Sequence, residues 1–136
     1  MVRYMLDTDT ASCLIRGASP ELDARVRRLP QERLCISVIT RHELLLGLEL
    51  KPKATALKLL VANFLQRIVT LPFDSPAAAS FAVVSAKLRQ EGVGIGTMDA
   101  MIASHALSVD ATVVTNNVKH FELVPDLRFE NWVGMQ

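Results

Sequence analysis

The chain has 136 residues, of which 50% are hydrophobic and 21% charged. That balance excludes a disordered chain and suits a single domain over residues 1–136 with a core of its own. Lys and Arg number 15 against 14 Asp and Glu, a net charge of +1. Near-neutrality excludes a protein that coats nucleic acid by charge alone, but not a nucleic-acid enzyme.

Cys13 and Cys35 are too few and too isolated for a disulfide framework or a thiolate zinc site, as expected of a reducing cytoplasm. The N-terminus meets an acid at Asp7 and lacks a signal-peptide pattern, and no apolar run approaches the ~18 residues that span a bilayer. The expectation is a soluble cytoplasmic protein with no membrane association.

An apolar run over residues 2–6 predicts the first strand, and Asp7 directly follows it. In open α/β sheets ligands bind beyond the carboxyl ends of the strands, so Asp7 stands where chemistry is usually done. An acid at the lip of a buried strand also needs a partner to offset its desolvation. A helical pattern over 9–16 comes next, with Asp9 fitting its N-cap. Ser19 caps a second helix over 20–29, with Pro20 at its first position. Arg25, Arg27 and Arg28 on that helix read as a solvated face or a grip on phosphate.

A second strand over 34–38 leads into a helix over 40–50 that ends before Pro52. Thr40 and Glu43 match the Thr-x-x-Glu capping box, in which the glutamate closes the helix start; a chemical role for Glu43 requires other acids on the same edge. Leu44, Leu45, Leu46, Leu48 and Leu50 cover more of this helix than one buried stripe needs. It is therefore either sandwiched within the domain or part of a subunit interface. A helix over 53–67, a strand over 68–71 and a helix over 75–90 follow. Gly92-Val93-Gly94-Ile95-Gly96 lacks the G-x-G-x-x-G spacing, follows a helix instead of a strand, and reads as a flexible connector.

Thr97 caps a helix over 97–109 in which Asp99 precedes Ala100, Met101, Ile102 and Ala103, so this acid leads a buried helix. A helix N-terminus favours the carboxylate anion, whether it serves the dipole or binds a cation. A strand over 111–115 ends in Asn116-Asn117, an ordinary turn signal that also sets amide oxygens at a strand end. A last weak strand includes Leu127 and Phe129. The alternation predicts an α/β fold with a mainly parallel central sheet and helices on both faces. Three acids and an amide at one sheet edge form a hard-oxygen site suited to Mg²⁺ or Mn²⁺ and unsuited to zinc. His42, His105 and His120 share no metal-ligand spacing and read as packing or surface residues.

The segments Tyr4-Met5-Leu6-Asp7-Thr8-Asp9, Ser37-Val38-Ile39-Thr40-Arg41-His42-Glu43-Leu44 with Gly47, the block from Ile95 to Ala106, Val114-Thr115-Asn116-Asn117, and the tail from Phe121 to Leu127 with Glu130-Asn131-Trp132 occur in an order that is recognisable. The chain resembles the PIN-domain ribonucleases, and among them the VapC-type toxins of bacterial toxin-antitoxin pairs. The resemblance implies that Asp7, Glu43 and Asp99 form an acidic triad holding Mg²⁺ or Mn²⁺. Asn116 or Asn117 occupies the region of an often acidic fourth position; Asn117 is preferred, as an amide that orients a metal-bound water without adding charge. Asp9 stands where the family often has a neutral polar residue and is a candidate to restore that charge. The resemblance further implies hydrolysis of RNA, frequently transfer RNA, leaving a 5′-phosphate and a 3′-hydroxyl. It also implies homodimerisation and a VapB-type antitoxin lying in a groove formed by the leucine-rich helices over 40–67 and the helix near Pro20.

Two other readings stand beside this one. Asp7-Thr8-Asp9-Thr10 partly resembles the D-x-D-x-T pattern of haloacid-dehalogenase-like phosphatases, with Asp7 as nucleophile and Asp9 as general acid. Ala11, however, stands where that pattern requires its threonine, and no downstream Gly-Asp-x-x-x-Asp motif follows. An inactive PIN-like RNA-binding module is the other, against which the intact Asp7, Glu43 and Asp99 speak. Setting aside Asp7, Asp9, Glu43 and Asp99 leaves 15 basic and 10 acidic residues, a basic shell around an acidic pocket.

Overall fold

A computed structural model describes residues 2–134. Its central strand is the first: β1 (Arg3–Leu6) lies between β2 (Leu34–Ser37) and β4 (Ala111–Val114), with β3 (Val69–Leu71) and β5 (Phe129–Glu130) at the edges. All neighbouring strands pair in parallel, so the expected sheet is present with every pair in one direction. Met5 lies level with Cys35 and Val113, and Leu6 with Ile36 and Val114. Successive side chains leave a strand on opposite faces, so these two rows feed two separate cores. The Met5 row packs with Val84, Leu88, Ile102, Ala103 and Phe121, and the Leu6 row with Ala11, Leu22, Leu44, Val61 and Leu65. Burial on both faces is why the inner strands read as mainly apolar runs instead of strictly alternating ones.

One face carries α1 (Thr8–Arg16), α2 (Pro20–Arg27), α3 (Val38–Glu49) and α4 (Thr55–Arg67); the other carries α5 (Ser75–Gln90) packed on α6 (Thr97–Ser108). The chain winds outward from β1 through β2 to β3, then crosses back to β4. Strand order therefore reverses between β1 and β4, which makes the crevice beyond their carboxyl ends the place for a ligand.

Several helix starts differ from the sequence expectation, each for a local reason. Asp7, not Asp9, caps α1, because its carboxylate accepts from the Thr10 N–H at 2.9 Å. Ser37 caps α3 through the Ile39 N–H at 3.0 Å, so the helix begins at Val38, Thr40 is already inside it, and the capping box does not form. The helix after Pro52 begins at Thr55 instead of residue 53. Ser19 caps α2 as expected, accepting from Leu22 N–H at 3.2 Å. Thr97 is the first residue of α6 and not its cap; that position belongs to Gly96 at φ +88° and ψ 145°, backbone space open in practice to glycine alone. The glycine segment is thus a shaped entry to α6, where a free connector was expected. Leu127 lies outside the last strand and is buried in the core instead. A short helix, α7 (Val118–Phe121), follows the paired asparagines where a turn was expected.

His105 ties the two halves together. It is buried on α6, its Nδ1 lies 2.7 Å from Ser37 Oγ, and its ring meets Phe73 edge-on at 5.4 Å. Burial lowers its pKa from the usual histidine value, while Asp74 and the Pro72 carbonyl oppose that shift less strongly. Below the ordinary histidine range of ~6.5 the unfolded chain takes up a proton that the native ring resists, so this group's contribution to stability falls as pH drops. Urea midpoints measured between about pH 7 and about pH 5 should therefore fall more steeply for the parent than for His105→Gln. Equal slopes would show that His105 does not set this dependence.

Candidate active site

Asp7 is 2% exposed and stands at the strand-order reversal. Its own N–H continues the ladder to the Val114 carbonyl at 3.0 Å. Its Oδ1 accepts from Thr10 N–H, and its Oδ2 accepts from the Thr115 hydroxyl at 2.6 Å, a bond that crosses from β1 to β4. Burial raises its pKa above the usual carboxylate value; the hydrogen bonds from Thr115 and Thr10 only partly oppose that, and the charge of Asp9 adds to it. Among the described residues no Lys, Arg or His pairs with Asp7. An anion buried without a countercharge is costly, and an external cation is the direct remedy.

Glu43 lies in the second turn of α3, half-buried, and accepts from the Thr8 hydroxyl; the Thr40 hydroxyl lies 3.3 Å from the same Thr8 oxygen. This threonine pair joins the start of α1 to α3 and holds Glu43 on the sheet edge that Asp7 occupies. Asp99, in the first turn of α6, sets Oδ2 3.1 Å from His120 Nδ1. Asn117 donates its backbone N–H to Thr115 Oγ1 at 2.8 Å and places its side-chain amide 2.7 Å from His120 Nδ1. Asn116 is exposed and turns instead to Asn131, at 3.2 Å. Asp9 is exposed on α1.

Among the described residues no three His, Cys, Asp or Glu side chains lie close enough to hold an ion by themselves. The three acids share one edge without forming a closed cage. That arrangement suits Mg²⁺, which keeps several waters and binds through one or two carboxylates plus substrate phosphate. The donors are all oxygen, and Asp7 lacks a countercharge, so these residues fit a hard divalent cation. Beside Glu43, a groove of about 200 Å³ runs between α1, α3 and α4, with Asp9, Arg16 and Lys51 on its rim and Ile15, Leu44 and Val61 in its lining.

His120 is partly exposed, as a packing or surface histidine would be, and it also meets both Asp99 and Asn117, contacts that sequence reasoning did not assign. The Asn117-x-x-His120 spacing across one helical turn was the available signal, but only with α7 known.

The geometry is that of a sheet-edge acidic site on an α/β fold, and the PIN-domain family model matches residues 4–127. The chain belongs to the PIN-domain family. Within it, the chain is similar to VapC ribonucleases over nearly its full length. It is 36% identical to the tRNA(fMet)-specific endonuclease VapC of Salmonella typhimurium, covering 97% of this chain and 99% of the relative. It is 35% identical to Ribonuclease VapC2 of Haemophilus influenzae, covering 98% and 100%. Among solved structures, VapBC2 from Rickettsia felis bound to a promoter DNA fragment matches with a TM-score of 0.88 at 31% identity, covering 97% of this chain and 99% of that one. DNA-bound VapBC from Salmonella typhimurium matches with a TM-score of 0.86 at 37% identity, covering the same shares. Family membership removes the phosphatase reading of Asp7 and Asp9.

The burial of Asp7 has a measurable consequence. Its raised pKa means that the native state loses stability as pH rises through the folded value and has recovered it below the ordinary carboxylate range. In chelator near neutral pH, Asp7→Asn should therefore melt above the parent, because asparagine still caps Thr10 N–H without the buried charge. The advantage should shrink as pH falls toward about 4. Added Mn²⁺ should raise the parent's midpoint more than the variant's. A variant that melts below the parent throughout would show that the carboxylate's hydrogen bonds outweigh its desolvation.

Proposed function

We propose that this protein is a metal-dependent endoribonuclease toxin that hydrolyses phosphodiester bonds in structured RNA, with transfer RNA as the substrate class, and that a VapB-type antitoxin neutralises it. The buried Asp7 without a countercharge, in a chain matching VapC ribonucleases from end to end, carries the reading. Asp7, Glu43 and Asp99 are the residues that would hold Mg²⁺ or Mn²⁺. When bound, the ion supplies Lewis acidity that activates water and offsets charge building on the phosphoryl oxygens.

The chain's own residues do the positioning. Thr10 and Thr115 fix both oxygens of Asp7, and Thr8 fixes Glu43. No side-chain nucleophile is needed, and hydrolysis leaves a 5′-phosphate and a 3′-hydroxyl. Arg16 and Lys51, on the rim of the groove beside Glu43, are placed to meet flanking phosphates. No described helix is long and apolar enough to cross a membrane, and the reaction belongs in the cytoplasm, where such RNA lies.

Leucine on α3 and α4 has the role that the interface alternative requires. Leu44 is buried, but Leu45 and Leu46 are 43% and 45% exposed, and Leu59 on α4 is 73% exposed. Apolar surface of this extent belongs under a partner, here the antitoxin and a second copy of the chain. Purified protein incubated with transfer RNA should cleave it in Mg²⁺ and stop in chelator. Asp99→Asn, still folded, should cut about 10²-fold more slowly or worse. RNA bound but left intact in Mg²⁺ would establish the inactive binding module, and cleavage indifferent to chelator would remove the metal.

A further inference from the structure

His120 Nδ1 lies 2.7 Å from the Asn117 side-chain nitrogen and 3.1 Å from Asp99 Oδ2. One ring nitrogen offers either a lone pair or a hydrogen, not both. If the Asn117 amide donates to Nδ1, the lone pairs of Nδ1 and Oδ2 face each other at 3.1 Å, which is repulsive. A half-turn of the Asn117 amide exchanges its oxygen and nitrogen and resolves the conflict. Nδ1–H then donates to Asp99 Oδ2 with Asn117 Oδ1 as second acceptor, and no lone pairs oppose each other at Nδ1.

The bond belongs to a longer chain. Thr115 Oγ1 donates to Asp7 Oδ2 and accepts from Asn117 N–H, so Asp7, Thr115, Asn117, His120 and Asp99 are joined in sequence. The segment bearing them is held at both ends: Thr115 N–H donates to the Glu130 carbonyl at 2.9 Å, and Phe121, next to His120, is fully buried. Asp99 keeps 27% of its side chain exposed, and with Oδ2 held by the ring, Oδ1 is left for a ligand.

We propose that His120 is a positioning residue: through Nδ1–H it fixes the orientation of Asp99, and the brace from Thr115 to His120 sets that acid relative to Asp7. The inference rests on the reading above that Asp7 and Asp99 bind a divalent ion. It assigns Asn117 to the brace, where the sequence expectation had it orienting a water.

Three variants of the full chain test it: His120→Ala, His120→Asn, whose amide nitrogen falls near the Nδ1 position, and His120→Gln, whose amide falls nearer Nε2. Calorimetric titration with Mn²⁺ should show affinity reduced about 10- to 100-fold in His120→Ala, largely recovered in His120→Asn and not in His120→Gln. RNA cleavage should lose kcat with KM for RNA nearly unchanged. Equal Mn²⁺ affinity in parent and His120→Ala, or recovery by glutamine as full as by asparagine, would overturn the role. A directly bonded nitrogen in the Mn²⁺ resonance spectrum of the parent, lost in His120→Ala, would overturn it too by making His120 a ligand. A parent that binds no Mn²⁺ defeats the metal reading and this inference with it, whereas parent binding with an unaffected alanine variant defeats the inference alone.

Discussion

The hydrogen bond from Thr115 to Asp7 closes the crevice at which everything else is arranged. It joins the end of β1 to the end of β4, where the strand order reverses, and it does so through a carboxylate that burial disfavours as an anion. A carboxylate buried in this way carries an electrostatic cost that a bound cation would relieve. The two inner strands that bring Asp7 and Thr115 together are paired in register from Arg3 to Leu6 and buried on both faces at Met5 and Leu6, so the separation of the two groups is set by the centre of the sheet.

The helices around that crevice divide the work. Alpha-6 is rich in small buried residues, Ala100, Ala103, Ser104 and Ala106, which allow close packing and deliver Asp99 at its exposed first turn. Its far end is tied by His105 to Ser37, the cap of α3, and α3 in turn carries Glu43. Helices on opposite faces of the sheet are thus linked through one buried imidazole, and two of the three acids ride on them. Packing supports the site's geometry here more than any contact among the acids themselves.

Much of this was legible because it depends on local pattern. An acid immediately after an apolar strand, and another opening an apolar helix, place Asp7 and Asp99 without knowledge of the fold. The capping assignments failed where two polar residues competed for one helix start. Ser37 ends β2 with extended backbone already suited to a cap, so Thr40 is swept into the helix and Glu43 is freed. Asp7 likewise takes the cap from Asp9, and a single carboxylate serves both the helix and the site. His120 was beyond reach for a different reason. Its partner Asp99 lies 21 residues away on another helix, and only the tertiary fold brings them together. The leucines of α3 posed two alternatives that sequence could not separate, and the exposure of Leu45, Leu46 and Leu50 speaks against the sandwiched one.

Among the described residues the Lys and Arg ion pairs are Arg25–Glu130 and Arg128–Asp110, so only two of the described Lys and Arg are paired with acids. Neither Asp7 nor Glu43 is neutralised by a neighbouring cation, and Arg16 and Lys51 border the groove next to Glu43 without an acid partner of their own. A protein whose +1 total came from paired surface charges would have nothing to offer a polyanion. Here the buried Asp7 and half-buried Glu43 stand at a sheet edge, with Arg16 and Lys51 beside the adjoining groove. A divalent ion at that edge would lift the net charge further in the direction that phosphate binding requires.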